Sequence, residues 1–527
     1  MLFVILLAGA GAMVLQTLAH KLGCVTGFDL ASHCRLLLHD RPKHRLLVRY
    51  AVLYPLYVLC EIAIISTDLA ELLGSAIGLS LIFPALPLWS AVLLTATDVL
   101  VFLLLGDPSR GQGRRVKTFE FAVIGLVLAV LICFIVLLVR VHPNWPHVFL
   151  GYIPNSKLFE TNPNALYTAV GILGATVMPH ALFLGSFLGT QDRVSGPPSL
   201  PHPVQSNQHD GLLPKFKSWA RSLFEVSRKE RIAASRDYRD KFGRENNDLG
   251  FIKAHLTHGL VDVISSLLGV AVPINSAILV IAATVFHGRM SSSPAGLFDA
   301  YDLIKENIGK AAAFIFALAL LCAGQTASIT ATLAGQIVSE GFIEWRISPF
   351  LRRLVTRLIG LVPSMVVAIA VGRSGIDVLL VASQVALSIV LPFVALPLIY
   401  LTSSKSVMRV RKPTVALTSG IDVTTEILEE LPGAHQATQV VESENDEIQT
   451  PPPSSEKFGV DVVMEKETTE YVNASGLGLA SEENSTLDEE FVDYSNSRLL
   501  TAVASAVFLV VLAANMYVIV VLGLGES

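Results

Sequence analysis

The apolar stretch CEIAIISTDLAELLGSA carries three carboxylates, Glu61, Asp68 and Glu71. Their spacing of seven and three residues places all three in one narrow stripe of a helix, because successive helical residues turn by about 100°. A charged side chain at mid-bilayer costs roughly 2.5–3.5 kcal/mol on insertion scales, so a stripe of carboxylates favours a path for protons or cations. The alternative is a set of buried carboxylates that serine, threonine and backbone donors satisfy.

A second candidate lies in GATVMPHALFLGS, residues 174–186, where an apolar helix meets a proline. Pro179 has no N–H to donate, so the pattern predicts a break just before it and unpaired carbonyls near Ala175 and Thr176. Such carbonyls are tolerated at membrane depth where they line a cavity or bind a cation. Met178 adds a thioether, a soft ligand that favours transition metals over Ca²⁺ and Mg²⁺. The alternative for this methionine is ordinary packing in an apolar helix.

The elements that must position these residues are membrane-spanning helices. Of the 527 residues, 52% are hydrophobic and only 16% are charged. The apolar residues fall in blocks of the ~20 residues that a helix needs to cross a bilayer, whereas barrel strands would give short alternating segments. The five cysteines have no CxxC spacing, so the sequence indicates neither a disulfide framework nor a zinc site. We predict about ten spanning helices, at roughly 2–20, 50–77, 86–105, 118–139, 166–189, 256–286, 311–339, 354–371, 377–401 and 497–522.

Basic and nearly neutral loops alternate along the chain, and the basic ones predict the cytoplasmic side. The run Arg346, Arg352, Arg353 and Arg357 is counted as one of these loops. We divide the chain into membrane helices at 1–190, a basic cytoplasmic loop at 191–255, further helices at 256–402, a disordered acidic cytoplasmic segment at 403–496 and a last span at 497–522. The basic loop can form a helix that lies on an anionic membrane surface, and a solvated cytoplasmic helix is the alternative.

Several stretches resemble one family in order along nearly the whole chain. GATVMPH followed by LFLGS resembles the sixth helix of the natural resistance-associated macrophage protein (Nramp) family, the proton-coupled manganese and iron transporters. TDLAELLGSAIGL resembles its third helix, and GQTASITATLAGQIVSEGF its transport signature. LGCVTGFDLASHCR, WRISPFLRRLVTR and SQVALSIVLPF also match. The resemblance implies an all-α polytopic membrane protein with the inverted-repeat (LeuT-type) transporter fold.

The resemblance also implies roles for particular residues. It assigns the metal to the Met178 sulfur and the Ala175 carbonyl, with Gln384 joining in some states. It assigns the proton pathway to Glu61, Asp68, Glu71 and His180, and the cytoplasmic route to Arg193, Arg352 and Arg353. Gly324 and Gln325 open the transport signature and are expected to act as scaffold or gating residues.

One departure concerns the family's first helix, whose Asp-Pro-Gly-x-Asn motif supplies an aspartate and an asparagine to the metal. This sequence lacks that motif, and its first predicted helix resembles the family's second. The loop charges also place Met1 outside, which predicts one more helix upstream. We therefore expect either a truncated record of a working transporter or a variant that does not transport, because a dehydrated divalent cation without a carboxylate should bind poorly.

The predicted function is proton-coupled transport of divalent Mn²⁺ or Fe²⁺ by alternating access, with both ions as substrates and no cofactor. The alternative is a non-transporting Nramp-like sensor or scaffold, or an inactive truncated isoform. An intramembrane protease is disfavoured, since no GxGD-type pair occurs, and we expect no enzymatic activity. The expected partners are metal ions, protons and the lipid bilayer, with regulatory partners possible for the acidic segment and no nucleic acid. We expect a multi-pass protein of the plasma membrane or of an endomembrane such as the vacuole.

Overall fold

The structure is a computed structural model that describes residues 1–39, 43–96, 114–154, 163–192, 245–286, 296–344, 349–412 and 491–523. Those residues form seventeen α-helices, two π-helical turns and two short strands. The first half contains α1 Leu2–Thr26, α2 Leu30–His39, α3 Arg45–Val48, a π turn Arg49–Leu53, α4 Tyr54–Ile82, α5 Leu88–Thr95, α6 Arg114–Val141, α7 Trp145–Leu150, α8 Pro163–Thr176 and α9 Pro179–Gly189. The second half contains α10 Leu249–Ser266, a π turn Leu267–Ala271, α11 Val272–Phe286, α12 Leu297–Asn307, α13 Lys310–Ile343, α14 Pro349–Ala370, α15 Arg373–Ser403, α16 Lys405–Met408, β1 Arg409–Arg411, β2 Phe491–Asp493 and α17 Arg498–Gly523.

Eight helical segments of the described chain are long and apolar enough to cross a membrane. They coincide with eight of the ten predicted blocks, and the shorter apolar helix Leu354–Ala370 coincides with a ninth. The remaining block, 86–105, lies only partly within the described residues, where Leu88–Thr95 is helical. The prediction of an all-α polytopic membrane protein is confirmed.

The centre of the bundle is the contact between α4 and α13, the two helices that carry the carboxylates and the predicted signature. Gly324 of α13 makes the close approach possible, since a Cβ there would lie 2.2 Å from the Ser75 Oγ and 3.0 Å from the Glu71 carbonyl oxygen. The largest apolar cluster surrounds this contact and includes Leu22, Phe183 and Leu391, from three further helices.

The prediction of disorder over the whole of 403–496 is wrong at both ends of that segment. Residues 405–408 form α16, and β1 pairs antiparallel with β2 so that Val410 lies opposite Val492. We call α16, β1, β2 and residues 494–497 the stem. Its pairing was missed because the partner strands are separated by 79 residues of sequence, from 412 to 490. Residues 413–490 lie outside the described residues.

The predicted basic loop at 191–255 also ends too late. Helix α10 begins at Leu249, because the Asp248 side chain caps its first turn by accepting hydrogen bonds from the backbone N–H groups of Gly250 and Phe251. The proposed surface helix of this loop lies outside the described residues.

Two of the four arginines counted as a cytoplasmic loop after α13 are instead buried on a helix, and a third, Arg346, lies outside the described residues. Arg352 and Arg357 lie on α14 and are only 7% and 2% exposed. They are buried because each meets a carboxylate of α4, as described below. The positive charge of this run therefore carries less information about orientation than the sequence suggested.

Candidate functional site

The helix break predicted before Pro179 is present. Helix α8 ends at Thr176, and α9 begins at Pro179, so Val177 and Met178 are the only two residues between them. The Val177 N–H donates to the Leu173 carbonyl at 2.9 Å and completes the last turn of α8. The Ala175 carbonyl cannot receive the corresponding bond four residues on, because Pro179 has no N–H. Met178, three residues after Ala175, has an extended backbone, with φ −76° and ψ 128°.

The backbone of Gln384 lies close to the end of α8, because α8 and α15 are in contact through their backbones. A Cβ on Gly174 would lie 2.1 Å from the Gln384 carbonyl oxygen and 2.8 Å from the Ser388 nitrogen, so only glycine permits this approach. Ala175 is the next residue after Gly174. The Gln384 side chain is half-buried, and its Oε1 has no hydrogen-bond donor in the described part of the chain. The backbone of Gln384 thus contacts the residue before Ala175, while its side chain helps to line a cavity with Phe134, Ile281 and Asp377.

The carboxylate stripe of α4 faces arginines of α14. Arg352 Nη2 donates to both carboxylate oxygens of Glu61 at 2.8 Å. Arg357 Nη1 lies 3.3 Å from Oδ1 of Asp68, and it also donates to the Asp68 carbonyl oxygen at 3.1 Å. Seven residues on α4 and five on α14 separate the two pairs, so they form successive rungs between the same helices. A cavity of about 10 Å³, roughly one water molecule in size, lies between Asp68 and Arg352.

His180 joins the break to this ladder of ion pairs. It is the second residue of α9 and is 4% exposed. Its Nδ1 lies 3.3 Å from the Thr67 Oγ1, and Thr67 immediately precedes Asp68 on α4. The distance allows a hydrogen bond in which the hydroxyl or the ring nitrogen donates, according to the tautomer.

Glu71 lies one turn further along α4, where the start of the transport signature on α13 packs against it. Glu71 is 6% exposed, and its backbone carbonyl is the one that Gly324 approaches. Gln325 Nε2 donates to the Ser75 Oγ at 3.3 Å. In the structure these two signature residues contact α4, and the scaffold or gating role expected of them stays a prediction.

Sequence reasoning missed Arg357 and its second partner. Arg357 Nη2 donates to the Ser328 Oγ of α13, so this arginine ties α14 to both central helices. No periodic signal in the sequence marks this pair, because a spacing of five residues sets Arg352 and Arg357 about 140° apart around a helix. Arg193 lies outside the described residues, and for Arg353 the structure describes only its place on α14.

The donors near the break suit a soft cation better than a hard one. Among the described residues, no group of three or more His, Cys, Asp or Glu side chains is placed to hold a metal ion. The break itself offers the Met178 thioether and the freed Ala175 carbonyl, and sulfur discriminates against Ca²⁺ and Mg²⁺.

Comparisons with known proteins find one matching family and several named relatives. The family described as natural resistance-associated macrophage protein-like matches residues 1–424. An iron transporter of Saccharomyces cerevisiae, SMF3, is 38% identical over 451 residues, which cover 85% of each chain. A manganese transporter of Schizosaccharomyces pombe, pdt1, is 41% identical over 78% of this chain and 70% of its own.

Bacterial relatives extend the similarity. The divalent metal cation transporter MntH of Nostoc is 39% identical over 77% of each chain. Among solved structures, the manganese transporter of Eremococcus coleocola is similar with a TM-score of 0.57 and 29% identity, covering 77% of this chain and 73% of that one.

Proposed function

The chain belongs to the Nramp family and is a multi-pass integral membrane protein with the inverted-repeat (LeuT-type) fold, and from this premise we propose that it transports Mn²⁺ or Fe²⁺ together with protons by alternating access. The metal is substrate rather than cofactor. Relatives named as iron, manganese and divalent metal transporters support the metal part of the proposal.

The observation that carries the proposal is the break at Val177–Met178 beside Gln384. Irregular backbone is costly in a bilayer unless it lines a cavity or binds an ion. Here the proline that breaks the helix also frees the Ala175 carbonyl, three residues before the Met178 thioether, and the Gln384 backbone contacts Gly174, the residue before Ala175. A transition-metal ion that has lost part of its hydration shell would find soft and neutral ligands in one place.

The ion-pair ladder supports the proton part. A carboxylate paired with arginine can take up a proton only by giving up that pairing, so protonation and movement of α4 against α14 become linked. His180 connects the metal-binding break to the Thr67–Asp68 turn at 3.3 Å. A proton that changes the Asp68–Arg357 contact can therefore alter the position of α9, which begins directly after Met178.

The proposal is tested with the full chain in proteoliposomes by measuring Mn²⁺ uptake and internal acidification together. Met178→Ala should weaken Cd²⁺ uptake and make Mn²⁺ uptake more sensitive to competing Ca²⁺, because the soft ligand is lost. Met365→Ala is the matched control, since Met365 is a partly buried methionine in the apolar cluster of α14. Unchanged competition by Ca²⁺ in Met178→Ala would remove the sulfur from the site.

Asp68→Asn tests the coupling to protons. We expect acidification of the vesicle interior to be lost, whether or not metal uptake continues. A folded wild-type chain that moves no metal at all would contradict transport and would favour the sensor or scaffold alternative.

A further inference from the structure

Helix α15 contains a proline, Pro392, about two helical turns after Gln384. In an unbroken helix the Ser388 carbonyl would accept a hydrogen bond from the N–H of residue 392. Residue 392 is proline, which has no N–H and whose ring crowds the carbonyl four residues back. The Ser388 carbonyl is therefore deprived of its helical partner in the same way as the Ala175 carbonyl of α8.

The last helix supplies the missing donor. Asn515 of α17 is 3% exposed, and its Nδ2 donates to the Ser388 carbonyl oxygen at 2.6 Å. Its Oδ1 receives no hydrogen bond in the described part of the chain. The bond to Ser388 is therefore the described contact that offsets the free-energy cost of burying the carboxamide. An amide inside a membrane helix is costly without such a bond, and this favours a specific role over simple packing.

The capped carbonyl lies next to the proposed metal site. Ser388 is one helical turn after Gln384, and Gly174 of α8 contacts the backbone of both residues. The surrounding packing is apolar, with Val170 of α8, Val385 of α15 and Val518 of α17 in one buried cluster. A change in the turn Gln384–Ser388 would therefore act both on the Gln384 side chain and on the helix that ends at the break.

We propose that Asn515 is a positioning residue that caps the Ser388 carbonyl freed by Pro392 and so fixes the turn that presents Gln384. This inference rests on the proposed transport function for its effect on metal, but the cap itself does not. The last helix then takes part in the site through one hydrogen bond without touching the metal.

A double-mutant cycle tests the proposal in the full chain. Asn515→Leu removes the donor at similar size, and Pro392→Ala restores a backbone N–H that can bond to the Ser388 carbonyl. We expect Asn515→Leu alone to raise the KM for Mn²⁺ by between about threefold and about twentyfold with Vmax little changed, the range found for buried hydrogen bonds in membrane helices. In the Pro392→Ala background the same substitution should have no further effect, because the carbonyl no longer needs Asn515.

Amide hydrogen exchange of peptides covering residues 384–396 gives a readout that does not depend on transport. Exchange should be faster in Asn515→Leu and should return toward the Pro392→Ala level in the double variant. Val518→Ala, which trims an apolar neighbour of the same helix, controls for lost packing and should not depend on Pro392. If Asn515→Leu does not fold, Asn515→Ser, whose hydroxyl is shorter, takes its place.

Equal effects of Asn515→Leu in both backgrounds, or no effect in either, would overturn the cap. A wild-type chain that takes up no metal but shows the expected exchange pattern would leave the cap standing and refute the proposed function, and with it the role of the cap in presenting Gln384. Coupled exchange with an unchanged KM would refute that role alone.

Discussion

Arg357 Nη1 lies 3.3 Å from Oδ1 of Asp68, and the two side chains are 3% and 2% exposed. Two opposite charges are thus buried together between α4 and α14. Such a pair contributes little net stability by itself, because desolvating both charges offsets most of their attraction. Removing one partner is strongly destabilising, since the other charge remains buried without compensation.

The first prediction follows from this asymmetry. Asp68→Leu or Arg357→Leu should each destabilise the protein by about 3–5 kcal/mol, whereas the double variant should recover most of that loss. Thermal unfolding of the four proteins in detergent measures the effect. The Glu61–Arg352 pair is the internal comparison, because the Glu61 side chain is 19% exposed and its single variants should cost less. Additive losses in the Asp68/Arg357 double variant would contradict the pairing.

The second prediction concerns the contact between α8 and α15. Gly174→Ala should abolish uptake and lower the Tm, because the new Cβ would overlap the Gln384 carbonyl oxygen at 2.1 Å, a backbone atom that cannot move aside cheaply. Gly171→Ala, one turn earlier on the same face, is the matched control, since its Cβ would meet only valine methyl groups at 3.9 Å. A Gly174→Ala variant with normal uptake would show that the two helices can separate without loss of the site.

The break and the stripe were predictable because each depends on local chemistry. Pro179 removes a helical hydrogen bond wherever it is placed, and Glu61 and Asp68 share a face through the helical period alone. The partners of these residues were not predictable in the same way. Arg357 belongs to a run of positive charges that resembles a cytoplasmic loop, and only tertiary packing shows that it faces Asp68.

Contacts between distant segments were missed for a related reason. The stem joins strands separated by 79 residues, and each strand is only three residues long, too short to give a periodic signal. Asn515 resembles an isolated polar residue of an apolar helix until Ser388 and Pro392 are seen beside it. The resemblance to the family located Gln384, which composition and periodicity had not singled out.

The third prediction concerns pH and His33, which lies on α2 outside the spanning helices. Burial lowers the pKa of His33 to about 4, and its Nε2 lies 2.8 Å from the Thr26 Oγ1. Between that pKa and the ordinary value of 6.5 the unfolded chain binds more protons than the folded one. The stability that depends on neutral His33 is therefore complete above pH 6.5 and is lost as the pH falls toward 4, by up to about 3 kcal/mol.

His33→Gln should flatten the dependence of the Tm on pH across this window, because glutamine does not titrate. His147→Gln, a substitution on the exposed helix α7, should leave the pH dependence as it is in the wild type. An unchanged slope in His33→Gln would show that other groups cause the acid destabilisation.

The last prediction distinguishes the role of the stem from that of residues 413–490, which lie between its two strands in the sequence. Lys21 Nζ donates to the Asn496 Oδ1 at 3.1 Å, and Asn246 Nδ2 lies 2.7 Å from both the Val407 and the Arg409 carbonyl oxygens. The stem is thereby joined to α1 and to the residues that precede α10. Arg411 and Phe491 are paired across the sheet, so their Cα atoms are about 5 Å apart and a linker of about four residues can join the strands.

Replacing residues 413–490 by a four-residue Gly/Ser linker should therefore preserve the strand pairing and the contacts of the stem with Lys21 and Asn246, and with them the share of the Tm that those contacts provide. Deleting 403–496 as a whole should lower the Tm, because Lys21 and Asn246 lose their hydrogen bonds to the stem, each of which contributes about 0.5–1.5 kcal/mol. Asn246→Ala in the linker variant measures one of those contacts alone and should reproduce part of the loss. If both deletions were equally stable, the stem would have no structural role. If the linker variant alone lost uptake while keeping its Tm, residues 413–490 would act on transport directly, and the stem would be the route by which they reach α1.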